Sequence, residues 1–262
     1  MQIVRDVACE TALAAGEVLR EGYGQIHEVT LKGATNNLVT EIDRRSEDLI
    51  MSRIGRVFPE HAFLGEETGA GGRQSPWRWI IDPLDGTTNY AHHYPCFCVS
   101  IGLAYEDEPV VGVVYQPLLN ELFVAVKSQG ATLNNRAIHV SGVDTLASGM
   151  LATGFPYNLQ AFPDAPIAAF ESFVRQAQAV RRDGSAAIDL AYVAAGRYDG
   201  FWESGLAAWD TAAGVLLVTE AGGRVSDYAD APYTLGGPTI AASNGGIHPA
   251  IIAVLQAASR RP

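Results

Sequence analysis

Residues 79–89 constrain this chain more than any other stretch: Trp79-Ile80-Ile81 runs without a break into Asp82-Pro83-Leu84-Asp85-Gly86-Thr87-Thr88-Asn89. An apolar strand that ends in this way presents two carboxylates at its tip, followed by backbone N–H groups freed at a turn or helix start. That arrangement holds a hard cation beside an anion. Pro83 fixes φ and gives up a donor, so the Leu84 carbonyl and both carboxylates can point to one side. The bland alternative is an Asp-Gly turn with surface acids. A chance match to Asp, Asp, Gly and Thr at fixed offsets is on the order of one in a thousand for a chain of this length, which favours the functional reading.

Further acids occur in comparable settings. Gly65-Glu66-Glu67-Thr68 follows the short apolar run Phe63-Leu64, and Ala208-Trp209-Asp210-Thr211 opens a helical pattern. Taken singly, a Glu pair after a strand is a solvated loop and an Asp in a first helical turn is a dipole partner. Gathered into one site, these carboxylates would repel by about 4 kcal/mol per close pair at an effective dielectric near 20, so the cluster implies bound cations. Oxygen ligands without His or Cys favour Mg²⁺ or Mn²⁺ over zinc, with structural Ca²⁺ as the alternative. Gly86-Thr87-Thr88 tips the balance toward a phosphate held against the metals.

The rest of the chain reads as two halves. In residues 1–145, two helices lie around Ile3–Leu19 and Ile42–Val57, and short apolar runs at 63–64, 79–81, 99–105, 110–115 and 122–126 suit a mostly antiparallel sheet, with a tight turn at Asn134-Asn135. In residues 146–262, helices at 168–179, 186–195 and 209–221 and a last one opened by Pro249 alternate with strands at 201–202, 225–226 and 240–241. The fold class is α/β, an α+β first half under a smaller α/β layer.

Charge and composition exclude several classes. Against 29 Asp and Glu stand 18 Lys and Arg, for a net charge of −11, which disfavours nucleic acid as a partner. Arg5, Asp6, Glu10 and Glu17 interrupt the N-terminus, so no apolar leader is expected there, and Pro and Gly break the uncharged stretch 231–259 too often for a membrane span. Three cysteines, Cys9, Cys96 and Cys98, lack zinc spacing and read as reduced, buried and cytoplasmic.

Together, GEE at 65–67, WIIDPLDGTTN at 79–89 and AAWDTAAGVLLVTEAGG at 207–223 resemble the inositol monophosphatase family of Mg²⁺-dependent, lithium-sensitive phosphatases. RRDGSAAIDLAYVAAGRYDGFWE at 181–203 is similar to its bacterial branch. The resemblance implies a layered αβαβα sugar-phosphatase fold. It also implies two to three Mg²⁺ ions, Mn²⁺ being a possible substitute: one on Glu66, Asp82 and the Leu84 carbonyl, a second on Asp82, Asp85 and Asp210, a weaker third on Glu66. A water on the Glu66 side, oriented by Thr87 and assisted by Asp43, would attack phosphorus in line. Gly86 and Thr87 would hold phosphate oxygens, while Asp85, Gly184, Ser185, Ala186 and Glu203 would line the substrate pocket. Lys32 lies in a loop that the family folds over the metal site.

The expected reaction is hydrolysis of a small phosphorylated polyol, inositol 1-phosphate first, by a cytoplasmic homodimer. Asp183 departs from the family pattern, where an uncharged residue is usual; an added acid there would favour a cationic ester such as histidinol phosphate, and the nearby Arg181 and Arg182 would admit fructose 1,6-bisphosphate. A reading from another class is a regulatory protein that keeps the fold and acts through partners, as some bacterial relatives do. His92-His93 read as loop structure.

Overall fold

In the computed structural model, which describes residues 1–25, 29–31, 38–156, 159 and 165–260, five layers stack helix, sheet, helix, sheet, helix. The chain opens with α1 (Gln2–Gly22), β1 (Val29–Leu31), β2 (Leu38–Thr40) and α2 (Glu41–Val57). There follow β3 (Ala62–Gly65), β4 (Gly69–Gly72), β5 (Trp77–Asp85), the short α3 (Thr87–Ala91), β6 (Cys98–Tyr105), β7 (Glu108–Gln116), β8 (Glu121–Val126), β9 (Ala131–Leu133) and β10 (Arg136–Ile138). The later part holds β11 (Met150–Thr153), α4 (Ala165–Gln176), β12 (Ala179–Arg181), α5 (Ala186–Ala194) and β13 (Gly200–Ser204). It ends with α6 (Ala208–Glu220), β14 (Arg224–Ser226), β15 (Thr239–Ser243) and α7 (His248–Ala258).

The large sheet runs β10-β9-β8-β7-β6-β5-β3-β4 and the smaller one β12-β11-β13-β15-β14, while β1 and β2 pair with each other. In α1, Ala8, Ala12, Ala15 and Leu19 recur at three- and four-residue steps and are buried, so a smooth, small-residue face lies on the large sheet. α2 covers the same face; α5 and α6 fill the space between the sheets; α4 and α7 close the far side of the smaller one. Long runs of β5, β6 and β7 are buried on both faces, which is why they read as continuous apolar stretches rather than alternating ones.

The large sheet is mostly antiparallel, as expected, with β3 running parallel to β5. Two details differ from the sequence reading. The helix expected over 168–179 ends at Gln176, and Ala179, its expected last residue, opens the extended β12 because that strand pairs with β11, which overrides the helix preference of Ala179. β11 itself was not anticipated: Met-Leu-Ala-Thr is short and lacks alternation, since it is sandwiched between two parallel neighbours. The Asn134-Asn135 turn has positive φ at both residues, 49° and 63°, and joins β9 to β10. No helix among the described residues is long and apolar enough to cross a membrane.

Candidate active site

Parallel strands end on the same edge of a sheet. β3 and β5 are in register at Gly65 and Ile81, so the residues that follow, Glu66 and Asp82, leave together, and the Glu66 N–H donates to the Ile81 carbonyl at 3.1 Å. Pro83 cannot donate to the ladder, and the β5–β6 pairing shifts between Asp82 and Asp85. Gly86 then turns into α3 with φ of 95°, a left-handed conformation that favours glycine.

Asp210 arrives from the other half of the chain. It sits in the first turn of α6, and α6 packs unusually close to the large sheet: a Cβ on Gly112 would lie 2.6 Å from the Ala213 carbonyl oxygen. This close approach sets the start of α6 against the end of β5. As a result Asp82, Asp85 and Asp210 each offer a carboxylate oxygen, all within 4.8 Å of one another. Glu66, Leu84, Gly86 and Thr87 line the same cleft.

The electrostatics of this cluster are unfavourable to three ionised acids. Burial raises the Asp82 carboxyl well above its ordinary range, and Glu66, Asp85 and Asp210 add to the effect; the Leu84 N–H, donating to Asp82 Oδ1 at 3.0 Å, works against it. Asp85 is pushed up to about 6 by burial, although the Ser185 hydroxyl and the Ala187 N–H each donate to its Oδ2 at 2.7 Å. Asp210 is raised by burial and then by Asp85, while its Oδ2 accepts the Ala207 N–H at 2.7 Å. Acids held together at this distance call for protons or cations between them, and an oxygen-only donor set suits a hard divalent ion. The residues present therefore fit Mg²⁺.

Beside the acids, the Thr87 hydroxyl lies 3.0 Å from both Asp43 Oδ1 and the Leu84 carbonyl, two acceptors for one proton. Asp43 is wholly buried on α2, one turn from Ser46, whose hydroxyl donates to the Pro83 carbonyl at 2.9 Å. Ser46 carries no sequence signal of this role.

A second pocket adjoins the cluster, lined by Asp85, Gly184, Ser185, Ala186, Glu203 and Asp210 among others. Ser185 occupies the N-cap position of α5, yet its hydroxyl goes to Asp85 instead of the helix. Asp85, with both Ser185 and Ala187 donating to it, takes over the neutralisation of that helix start from across the interface. Glu203 is pushed up to about 8, chiefly by burial and then by Asp210, with Arg182 opposing. Asp189, in the first turn of α5 and not singled out from the sequence, also lines this pocket; it is 1% exposed.

Asn89 ties the two halves of the site together, its side-chain amide donating to the Cys96 and Asp183 carbonyls at 2.7 Å each. The Asp183 carboxylate accepts the Tyr198 hydroxyl and is not among the residues lining the pocket, so the extra acid does not face a substrate there. Arg182 does line it, whereas Arg181 does not. His92 ends α3 and His93 is an exposed loop residue. Lys32 lies outside the described residues.

Comparison with known proteins bears on this geometry. The inositol-1-monophosphatase of Synechocystis is 48% identical over 249 residues, covering 95% of this chain and 87% of that protein. The protein named Nus factor SuhB in Pseudomonas aeruginosa is 40% identical over 262 residues, with 98% and 97% covered. Among solved structures, inositol monophosphatase from Anabaena superposes with a TM-score of 0.89 at 45% identity, covering 98% of this chain and 96% of that one. The family model described as "Inositol monophosphatase family" matches residues 1–260, nearly the whole sequence. On this match, and on the five-layer fold that it shares with the Anabaena structure, the chain belongs to the inositol monophosphatase family.

Proposed function

We propose that the protein is a Mg²⁺-dependent phosphoric monoester hydrolase acting on a small phosphorylated polyol, with inositol 1-phosphate as the first substrate. The observation that carries this reading is the convergence of Asp82, Asp85 and Asp210 within 4.8 Å, beside the Gly86-Thr87 turn. Asp82, Asp85 and Asp210, with Glu66 and the Leu84 carbonyl, would hold two to three Mg²⁺ ions, or Mn²⁺ in their place. When bound, such ions neutralise the phosphate dianion and lower the pKa of water.

The remaining work falls to the chain. The Gly86 and Thr87 N–H groups donate hydrogen bonds to the phosphate oxygens and fix the orientation of the phosphate. Thr87 and Asp43 form a hydrogen-bonded pair that orients the attacking water and draws its proton toward the buried carboxylate. Asp85, anchored by Ser185, and Glu203 face the alcohol portion, with Gly184, Ser185 and Ala186 forming the adjoining wall. Glu203, pushed up to about 8, is protonated at neutral pH when the site is empty and can donate to a hydroxyl as well as accept from one. A cytoplasmic homodimer is part of this reading, supported by the family resemblance.

Two alternatives share the site. Fructose 1,6-bisphosphate gains support from Arg182 on the pocket wall, while histidinol phosphate loses the residue that favoured it, because Asp183 is turned to Tyr198. A regulatory role is supported by the relative named Nus factor SuhB. Phosphate release from the three esters, measured with Mg²⁺ and with EDTA, separates these readings. The expected result is Mg²⁺-dependent turnover with inositol 1-phosphate giving the highest kcat/KM; no release from any ester by the folded protein would overturn the hydrolase reading and favour the regulatory one.

A further inference from the structure

α2 buries three polar side chains, Asp43, Ser46 and Glu47, at spacings of three and four residues that put them on one face of the helix. Each reaches a different segment of the candidate site. Asp43 meets the Thr87 hydroxyl and Ser46 the Pro83 carbonyl. Glu47 meets the turn after β3: its Oε1 accepts the Glu67 N–H at 3.0 Å, and a Cβ on Gly65 would sit 2.1 Å from the same oxygen. The carboxyl thus touches the residue before Glu66 and the residue after it.

Glu47 is an unusual choice for such a place. It is 1% exposed, and its Oε2 is buried with no hydrogen-bond partner among the described residues. An apolar side chain would fill the space without that desolvation cost, so a carboxyl retained here needs a compensating role. Glu66 supplies one, because it is the only acid of the candidate metal set that sits on a turn; Asp82 and Asp85 belong to β5 and Asp210 to α6. Its N–H on the Ile81 carbonyl ties Glu66 to β5, but the two residues after it, Glu67 and Thr68, lie in the turn outside the β3 and β4 ladders, so that side of the turn depends on other contacts.

We propose that Glu47 is a positioning residue for Glu66: by gripping Gly65 and Glu67 it holds the turn so that the Glu66 carboxylate faces Asp82, Asp85 and Asp210 before a cation binds. This rests on the metal-site reading above. The test is Mn²⁺ binding followed by electron paramagnetic resonance on the full chain without any ester, alongside the Mg²⁺ half-saturation of turnover. Glu47→Ala is expected to weaken Mn²⁺ binding about tenfold, the scale of one lost hydrogen bond, and to raise the Mg²⁺ half-saturation in parallel. Glu47→Gln keeps an oxygen that can accept the Glu67 N–H and is expected to stay within about twofold of the wild type.

Wild-type Mn²⁺ affinity in folded Glu47→Ala would overturn the proposal. So would a Glu47→Gln variant as weak as Glu47→Ala, since the effect would then belong to charge. Should Glu47→Ala not fold, Glu47→Asp reads the same quantity: it keeps the charge, is one methylene too short to reach the turn, and is expected to bind as weakly as Ala; wild-type affinity in that variant overturns the proposal as well. Because the Mn²⁺ titration uses no substrate, a wild type that binds Mn²⁺ but hydrolyses nothing would sink the phosphatase reading and leave this one standing.

Discussion

Replacing Asp82 with Asn is expected to make the metal-free protein more stable while removing its response to Mg²⁺. Asp82 is 2% exposed and lies within 4.8 Å of carboxylate oxygens of Asp85 and Asp210. At that separation and an effective dielectric near 20, each ionised pair costs about 3.5 kcal/mol. The protein can escape by protonating Asp82, which at pH 7.5 costs about 5 kcal/mol against the ordinary value of 3.8. The penalty in the wild type is therefore about 3 to 5 kcal/mol. Asn removes it and keeps an oxygen for the Leu84 N–H. For a chain of this length the gain corresponds to roughly 10 °C in Tm.

The sign follows from the raised carboxyl of the folded state. Folded Asp82 holds its proton more tightly than the unfolded chain does, so its penalty is absent below pH 3.8 and grows as pH rises from there until the folded carboxyl titrates. The advantage of Asp82→Asn should accordingly shrink toward zero near pH 4 and be largest near pH 8. Thermal unfolding in EDTA from pH 5 to 8, repeated over a Mg²⁺ series, measures this. The wild type should gain stability with Mg²⁺ and Asp82→Asn should not; turnover of the variant should fall at least about a hundredfold. A variant that melts below the wild type in EDTA at pH 7.5, or that gains as much from Mg²⁺, would refute the reasoning.

Other outcomes follow from the same structure. Mg²⁺ affinity should climb as pH rises through the region of Asp85, pushed up to about 6, because the ion displaces protons; calorimetry in two buffers of different ionisation enthalpy reads the protons released, and a pH-independent affinity between 5.5 and 7.5 would contradict it. Thr87→Ala should lower kcat by about a hundredfold or more while leaving the Mg²⁺-induced rise in Tm largely intact, a split that separates water orientation from metal binding. His248, buried between the Ser226 and Ser243 hydroxyls at 2.9 Å each, is pushed down to about 4 by burial. Its contribution of about 3 kcal/mol is complete above the ordinary value of 6.5 and lost as pH falls through about 4; an imidazole found by NMR to titrate near 6.5 would contradict this.

Much of the site was legible because its signals are local. A strand reveals itself by a run of apolar residues, and Asp82, Asp85, Gly86 and Thr87 follow one within a few positions, so residue chemistry and spacing suffice to mark them. Asp210 was a weak signal taken alone and gained weight from the other acids and from the resemblance, since an Asp in a first helical turn has an ordinary explanation that the structure also bears out: it accepts the Ala207 N–H. Ser185 stands at the N-cap of α5, and only the fold shows that its hydroxyl goes to Asp85.

What the sequence by itself determined was the candidate donor set, the strand-and-helix order of most of the chain, and the family. Tertiary structure alone decided who faces whom. The glycines of β6 and β7 admit α6 close enough to bring Asp210 onto Asp82, the parallel pairing of β3 with β5 brings Glu66 to the same edge, and Asp183 is drawn to Tyr198 and away from the pocket. The same is true of Glu47, a buried acid whose neighbour Glu67 lies twenty positions away. Spacing along a chain reports which side of one element a residue occupies; which groups meet across elements depends on how the layers pack, and that is settled by the shapes of all the surfaces at once.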